Sequence, residues 1–201
     1  MKNNPTTHFI GIGHGSQFMV ETFWKAKLEG DFYCIMYPHG LYKRYYDKEG
    51  IALPEGIKLI PYYPPTDRIH YKNGIEIFRL PDWSQAPEIT PEIMALFRKG
   101  ERYILLADFG DYTGVRLTEA LTEWLNQRSF SFRVLVLYKG VYYLSPFSHI
   151  PTEIKDRMAR FEEFEYLDPT ELPGVGSTTT ISNFIDLQNI ELLRLYREGE
   201  H

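Results

Sequence analysis

Two strand–turn–helix units constrain the fold of this 201-residue chain. In the first, an apolar run at residues 8–13 leads into a turn, and a helix is predicted over residues 17–28. In the second, an apolar strand at residues 103–107 is followed by a turn and a helix to about residue 126. A small-residue turn between a strand and a helix directs backbone N–H groups and the positive end of the helix dipole at an anion. Two such units predict a nucleotide or another phosphate held between two loops. The turn residues are Gly11, Gly13, His14, Gly15 and Ser16 in the first unit, and Asp108, Phe109, Gly110, Asp111, Tyr112, Thr113 and Gly114 in the second.

The rest of the chain alternates between strand-like and helix-like segments. Further strands are predicted at residues 31–37, 57–60, 75–80, 132–138 and 164–168, and further helices at residues 91–99, 151–163 and 183–197. Thr90 followed by Pro91 is typical of a helix start, and Ser182 or Asn183 is the predicted cap of the last helix. Three prolines in residues 61–74 predict an irregular surface path. The alternation predicts one α/β domain over residues 1–201, a three-layer Rossmann-like fold whose mostly parallel sheet is covered on both faces.

Composition argues against several classes of function. The net charge is −5, the pI is about 5.7, and no Lys/Arg cluster is interleaved with aromatic residues, so we expect no nucleic-acid partner. The N-terminal segment lacks a signal-peptide core, and no apolar run approaches the length of a membrane span. We therefore expect a cytoplasmic protein with no membrane partner. The single cysteine, Cys34, excludes an internal disulfide framework.

The first turn has the pattern G-x-G-x-G-S, formed by Gly11, Gly13, Gly15 and Ser16. Glycines allow a sharp turn and let a phosphate approach the bare backbone. The dinucleotide fingerprint G-x-G-x-x-G is absent, because Phe18 follows where that pattern needs a glycine. A tight strand-to-helix turn with no ligand remains the alternative interpretation of this loop.

The segments IGIGHGSQ and LLADFGDYTGVRLTEALTEWLN, followed by FRVLVLYKG, resemble the nucleotide-binding domain of the tubulin/FtsZ family. In that family a glycine-rich turn follows the first strand. A signature loop after the fourth strand, G-G-G-T-G-T/S-G, opens a helix and cradles the phosphates. The matching positions here are Gly110, Thr113 and Gly114. Asp111 and Tyr112 replace two of the glycines, and Arg116 replaces the last one.

The resemblance implies a purine nucleotide, GTP or GDP with Mg²⁺, as ligand of the two loops. The final helix resembles the family's central helix, which implies that Phe184 stacks on the base and that Gln188, one turn later on the same face, contacts its edge. The resemblance also implies a protein partner or a homo-oligomer, since polymerisation in this family brings one subunit's catalytic loop onto the next subunit's nucleotide. The sequence ends with this helix, so we expect the second domain and its catalytic loop to be missing.

The departures from the family pattern lead to a narrower expectation. Asp111 places a carboxylate where phosphate charge would lie, and Tyr112 adds bulk where bare backbone is needed. We expect an FtsZ-like domain whose GTP binding is weak or lost, which acts through protein contacts and has no catalytic residues of its own. Such a chain is not a self-sufficient GTPase.

A second interpretation is a small enzyme. His14-Gly15-Ser16 after a strand is similar to a turn in the tetrapyrrole metal chelatases, in which the histidine serves the metal. A phosphohydrolase using His14 with Asp108 and Asp111 is the related possibility, and helix capping is the simpler role for the two aspartates. The six histidines show no pair at helical ligand spacing, so the sequence predicts no metal site.

Overall fold

The computed structural model describes residues 5–38, 53–72, 75–137, 165–167 and 181–199. At residues 67–72, 75–80, 166–167 and 181–185 it describes the backbone alone. No helix within these ranges is long and apolar enough to cross a bilayer.

In these described ranges, eight strands form two sheets. They are β1 (Thr7–Ile12), β2 (Asp31–Met36), β3 (Ile57–Pro61), β4 (Thr66–Lys72), β5 (Ile75–Pro81), β6 (Arg102–Asp108), β7 (Ser131–Leu137) and β8 (Glu165–Leu167). The larger sheet has the order β3-β2-β1-β6-β7-β8, and every pairing in it is parallel. Strands of parallel sheets are buried on both faces and carry continuous apolar runs. The middle of β6, from Tyr103 to Ala107, follows this rule, because each of these side chains is fully buried.

Helices cover both faces of the larger sheet. They are α1 (Ser16–Lys25), α2 (Pro91–Met94), α3 (Thr118–Gln127) and α4 (Ile181–Glu198), and a π-helical turn (Thr113–Leu117) leads into α3. On one face, Phe9 of β1 packs against Phe23 of α1 and Tyr196 of α4. On the other face, Leu121 and Leu125 of α3 pack into a second apolar core. The predicted three-layer Rossmann-like α/β architecture is therefore confirmed.

The carboxyl end of α4 is fixed by one arginine of β7. The guanidinium of Arg133 donates to the carbonyls of Leu195, at 2.9 Å, and Tyr196, at 3.0 Å. It also forms an ion pair with Glu165 of β8, with Nη2 and Oε2 2.6 Å apart. Because Arg133 lies near the amino end of its strand, the last turn of α4 lies at the amino edge of the sheet, and the helix begins towards the carboxyl edge.

Three local predictions are wrong. The segment predicted to be irregular contains β4, which pairs antiparallel with β5 as a two-stranded sheet. Helix α2 is capped by Thr90 as predicted, but it ends at Met94, and the N–H of Arg98 is bound instead by the Tyr103 hydroxyl at 2.6 Å. Ser182 and Asn183, the predicted caps, lie inside α4. The helix predicted at residues 151–163 falls outside the described residues.

The strand order reverses between β1 and β6. From β1 the chain builds the sheet outwards through β2 and β3, and from β6 it builds in the opposite direction through β7 and β8. At such a switch point the loops leaving the two central strands diverge, and ligands of open α/β sheets bind in the crevice outside their carboxyl ends. The two loops selected from the sequence leave β1 and β6, so both lie at this position.

Candidate functional site

The two loops are in direct contact. The backbone of Gly13 has φ +93°, and its N–H donates to the carbonyl of Ile35 at 3.1 Å. A Cβ placed at Gly13 would lie 3.0 Å from the Cα of Gly114, and a Cβ at Gly114 would lie 1.6 Å from the carbonyl oxygen of Asp108. Gly13 is therefore required by the packing of the first loop on the second, and Gly114 by the close return of the second loop to its own start. Their presence alone does not indicate that a ligand approaches the backbone.

The carboxylate of Asp108 joins the two loops. Its Oδ2 accepts the N–H of Gly15 at 2.8 Å, and its Oδ1 accepts the N–H of Gly110 at 2.9 Å. The side chain is fully buried, and a Cβ at Gly15 would lie 2.2 Å from Oδ2. Gly15 is thus needed so that this carboxylate can reach the backbone of the first loop.

Asp111 makes a second connection between the loops. Its Oδ2 accepts the N–H of His14 at 2.7 Å and lies 3.0 Å from Nδ1 of the same residue. Its Oδ1 accepts the N–H of Gly114 at 2.8 Å, which is the capping role considered from the sequence. The ring of His14 also packs edge-on against Tyr37, with 6.5 Å between the ring centroids. His14 therefore links the ends of β1, β2 and β6.

Burial and mutual charge set the protonation of this cluster. Burial raises the pKa of Asp108 to about 7, and the charge of Asp111 adds to this rise, against the opposing effects of the N–H groups of Gly110 and Gly15. Burial also favours the neutral forms of His14 and Asp111. Their hydrogen bond and opposite charges outweigh it, so that the pKa of His14 is raised and that of Asp111 is lowered. The surroundings thus favour the charged forms of His14 and Asp111 and disfavour the charged form of Asp108.

The other predicted loop residues lie in the same place as structural supports. Ser16 is fully buried, and its hydroxyl donates to the carbonyl of Gly13. A Cβ at Gly11 would lie 2.7 Å from the Ser16 hydroxyl oxygen. Phe109 belongs to the apolar core on the α3 face, and Thr113 is buried in the π-helical turn.

The structure places Tyr112 against another segment of the chain. Its side chain is 2% exposed and packs edge-on against Trp83 with 5.2 Å between the centroids. The hydroxyl donates to the carbonyl of Gln85 at 2.7 Å. Arg116, one turn later, pairs with Glu119 at 2.8 Å. The Tyr112 side chain is therefore packed against the segment at residues 82–85.

Helix α4 brings Gln188 towards the crevice. Eight residues of helix separate Gln188 from Tyr196, or about 12 Å, and four residues of strand separate Phe9 from Gly13, or about 13 Å. Since Tyr196 packs on Phe9, these lengths place Gln188 level with the carboxyl edge of the sheet. Gln188 is 1% exposed, and within the described part of the chain its Nε2 has no hydrogen-bond partner. Phe184 lies one turn closer to the start of α4, at a position where the backbone alone is described.

This arrangement does not fit a bound phosphate without rearrangement. Four backbone N–H groups of the two loops, those of His14, Gly15, Gly110 and Gly114, donate to the carboxylates of Asp108 and Asp111. Within the described ranges, no group of three or more histidine, cysteine or acidic side chains is placed to hold a metal ion. A phosphate that used these four donors would have to displace the two carboxylates.

Comparison with known proteins supports the fold. No family model and no curated protein sequence matches the chain. Among solved structures it is similar to CetZ2 from Haloferax volcanii in a GTPγS-bound protofilament, with a TM-score of 0.54 and 15% identity, over 94% of this chain and 56% of that chain. It is also similar to the PhuZ201 filament protein, with a TM-score of 0.52 and 13% identity, over 95% of this chain and 55% of that one. The fold is tubulin/FtsZ-like. The chain spans about half the length of both proteins.

Sequence reasoning missed two parts of this site. The segment at residues 82–85, which receives Tyr112, gives no signal beyond its aromatic residue Trp83. The π-helical turn at the start of the second helix is also not visible in the periodicity of its apolar residues. Both depend on contacts between segments distant in sequence.

Proposed function

We propose that this chain is an FtsZ/tubulin-like domain whose GTP binding is weak or lost and which acts through protein–protein contacts in the cytoplasm. One observation carries the proposal: the carboxylates of Asp108 and Asp111 accept four backbone N–H groups of the two loops at the switch point of a tubulin/FtsZ-like sheet. These four donors are thereby used within the chain, which supports a weak or lost anion site.

Charge adds to the loss of donors. A phosphate entering the crevice meets the ionised carboxylate of Asp111, whose pKa is lowered by His14, and the partly ionised carboxyl of Asp108. Two unit charges of the same sign 4 Å apart repel by about 4 kcal/mol at an effective dielectric constant of about 20. The His14 cation offsets part of this repulsion, but it is already paired with Asp111 at 3.0 Å. A triphosphate therefore has to displace the carboxylates before it gains any of these four N–H bonds.

The nucleotide base has a better-prepared site in this proposal. Gln188 is buried, and among the described residues its amide nitrogen has no hydrogen-bond partner; a buried amide without one costs about 1–3 kcal/mol until it finds an acceptor. The edge of a purine base supplies one. Phe184, one turn earlier, is the residue proposed to stack on that base, with GTP or GDP and Mg²⁺ as the ligand.

The protein-contact part of the proposal is supported by the solved structures that the fold resembles, which are a protofilament and a filament. The partner is either a second copy of the chain or a different protein. Analytical ultracentrifugation over a range of concentrations, without nucleotide, tests the first possibility. A monomer at every concentration would leave a different protein as the partner.

The test of the nucleotide proposal is calorimetric titration with GTP and GDP in the presence of Mg²⁺. The wild-type chain is expected to bind weakly or undetectably. Asp111→Gly frees the N–H groups of His14 and Gly114 and removes one negative charge, so it should bind GTP more tightly. Asp31→Gly is the matched control, because this carboxylate also faces a histidine, His8 at 3.4 Å, but at the opposite edge of the sheet. Sub-micromolar binding by the wild type, or no gain from Asp111→Gly, would contradict the proposal.

A second function is favoured by the same cluster. Nδ1 of His14 lies 3.0 Å from Asp111, and the pKa of Asp108 is raised to about 7, the value expected of a general acid or base near neutral pH. We propose a small phosphohydrolase or chelatase-like enzyme as the alternative. Phosphate release from a generic aryl phosphate and metal insertion into a porphyrin test it. Turnover that is abolished by Asp108→Asn would favour the enzyme over the interaction domain.

A further inference from the structure

Asp111 and Tyr112 are adjacent in sequence and hold different parts of the molecule. The carboxylate of Asp111 faces the first loop through His14. The side chain of Tyr112 faces the other way, stacks edge-on against Trp83, and donates to the carbonyl of Gln85. A displacement of this dipeptide therefore changes both contacts.

The element that follows the dipeptide is a π-helical turn. Residues Thr113–Leu117 are π-helical, whereas the next ten residues are α-helical. A π-helical turn holds one residue more than an α-helical turn and is found most often at functional positions. Conversion of this turn to α-helix would rotate the residues before it by about 100° relative to α3. Such a rotation cannot keep Asp111 at His14 and Tyr112 at Gln85.

The segment that Tyr112 holds is at the surface. Ser84 and Gln85 are exposed, and Asp82 binds both of them through its carboxylate, with the Ser84 hydroxyl at 2.6 Å and the Gln85 amide at 2.7 Å. Trp83 is half-buried against the core on the α3 face. The segment is thus an ordered surface feature whose connection to the loops runs through Tyr112.

We propose that the Asp111–His14 contact and the surface segment at residues 82–85 are coupled through the π-helical turn, so that opening of the two loops rearranges the segment. Coupling of this kind requires one element with two arrangements that both contacts bias, and in this proposal the π-helical turn is that element. The inference rests on the proposed function only for the identity of the ligand that opens the loops. The coupling itself is a property of the ligand-free chain.

The experiment uses Trp83 as the reporter in the full-length chain. Trp24→Phe and Trp124→Phe leave Trp83 as the single tryptophan. In this background, Asp111→Ala and the more conservative Asp111→Asn should shift Trp83 emission to longer wavelength and increase its quenching by acrylamide. Asp31→Ala, which removes a carboxylate at the opposite edge of the sheet, should leave both measurements unchanged. Wild-type emission and quenching in a folded Asp111→Asn protein, with folding checked by circular dichroism, would overturn the coupling.

A double-mutant cycle gives a second measurement that does not depend on fluorescence. Asp111→Asn and Tyr112→Phe each weaken a contact that depends on the same turn, so their stability losses should be less than additive. Additive losses would overturn the coupling. The outcome for the proposed function is separate: failure of Asp111→Gly to gain GTP affinity removes the nucleotide proposal, whereas the emission of ligand-free Asp111→Asn decides the coupling.

Discussion

Asp108→Asn isolates the energetic effect of the buried carboxyl that joins the two loops. The ordinary pKa of this group is 3.8, and burial raises it to about 7 in the folded chain. Between these two pH values the folded state binds more protons than the unfolded state, so its stability falls as pH rises. This rise in pKa spans about three pH units, and each pH unit is worth about 1.36 kcal/mol. The free energy of unfolding should therefore fall by about 4 kcal/mol between pH 4 and pH 8. An asparagine has no such titration.

The amide of the variant has a cost of its own. It has one acceptor oxygen for the N–H groups of Gly15 and Gly110, so one of them loses its bond, at a cost of about 1–3 kcal/mol. At pH 4, where the wild type has lost little of this stability, the variant should therefore be less stable than the wild type. Because about 4 kcal/mol exceeds this cost, the order should be reversed at pH 8.

Urea unfolding of both proteins at half-unit intervals from pH 4 to pH 8 measures the effect. His14 and Asp111 titrate in both proteins: the raised pKa of His14 lowers stability as pH rises above 6.5, and the lowered pKa of Asp111 does so as pH falls below 3.8. Both groups contribute to both curves, and the His14 contribution is smaller in the variant, because the charge of Asp108 helps to raise the pKa of His14. Parallel curves, or a difference that favours the wild type more at high pH, would refute the reasoning.

Three further outcomes are expected. Gly114→Ala should lower the free energy of unfolding by on the order of 3–5 kcal/mol, because its Cβ would lie 1.6 Å from the Asp108 carbonyl oxygen. Gly100→Ala is the control, because Gly100 has φ +86° but no atom within 4 Å of the added Cβ. In the same urea assay it should lower the free energy of unfolding by about 1–2 kcal/mol. In the Asp111→Gly protein, Phe184→Ala should weaken GTP binding by about 1–3 kcal/mol in calorimetry, the scale of base stacking on an aromatic ring, and a fall in thermal stability with unchanged affinity would instead identify Phe184 as a core residue. GTP with Mg²⁺ should produce no phosphate release above background and no rise in light scattering, whereas turnover that increases with protein concentration would show that the chain is an active GTPase.

The sequence was sufficient to predict the parallel sheet and to place the two loops of the candidate site at one edge of it. The apolar runs of β1 and β6, each followed by a small-residue turn and a helix, predicted a parallel sheet with two loops at one edge. The antiparallel pairing of β4 with β5 was not predicted, because the prolines in residues 61–74 favour an irregular path. Asn73-Gly74 between two β-rich runs is a strong hairpin signal and was available in the sequence.

The use of the loop donors was not predictable in the same way. The bonds from Gly15 to Asp108 and from His14 to Asp111 join residues more than ninety positions apart, and each depends on the exact approach of two backbones. The sequence shows that an aspartate lies in the loop. It does not show whether the carboxylate repels a ligand or accepts the N–H groups that a ligand would bind. The direction of Tyr112 likewise follows from the π-helical turn, which has no periodic signature of its own.

The position of β1 in the middle of the sheet has a consequence for synthesis of the chain. Its two neighbours are β2, which follows it closely, and β6, which pairs Thr7 with Arg102. During translation, β1, β2 and β3 emerge well before β6, and one edge of β1 stays open for that time. An apolar strand with unpaired N–H and C=O groups is a template for association with other chains. Nascent chains that stall before residue 102 should therefore be the aggregation-prone species, and the first to need a chaperone.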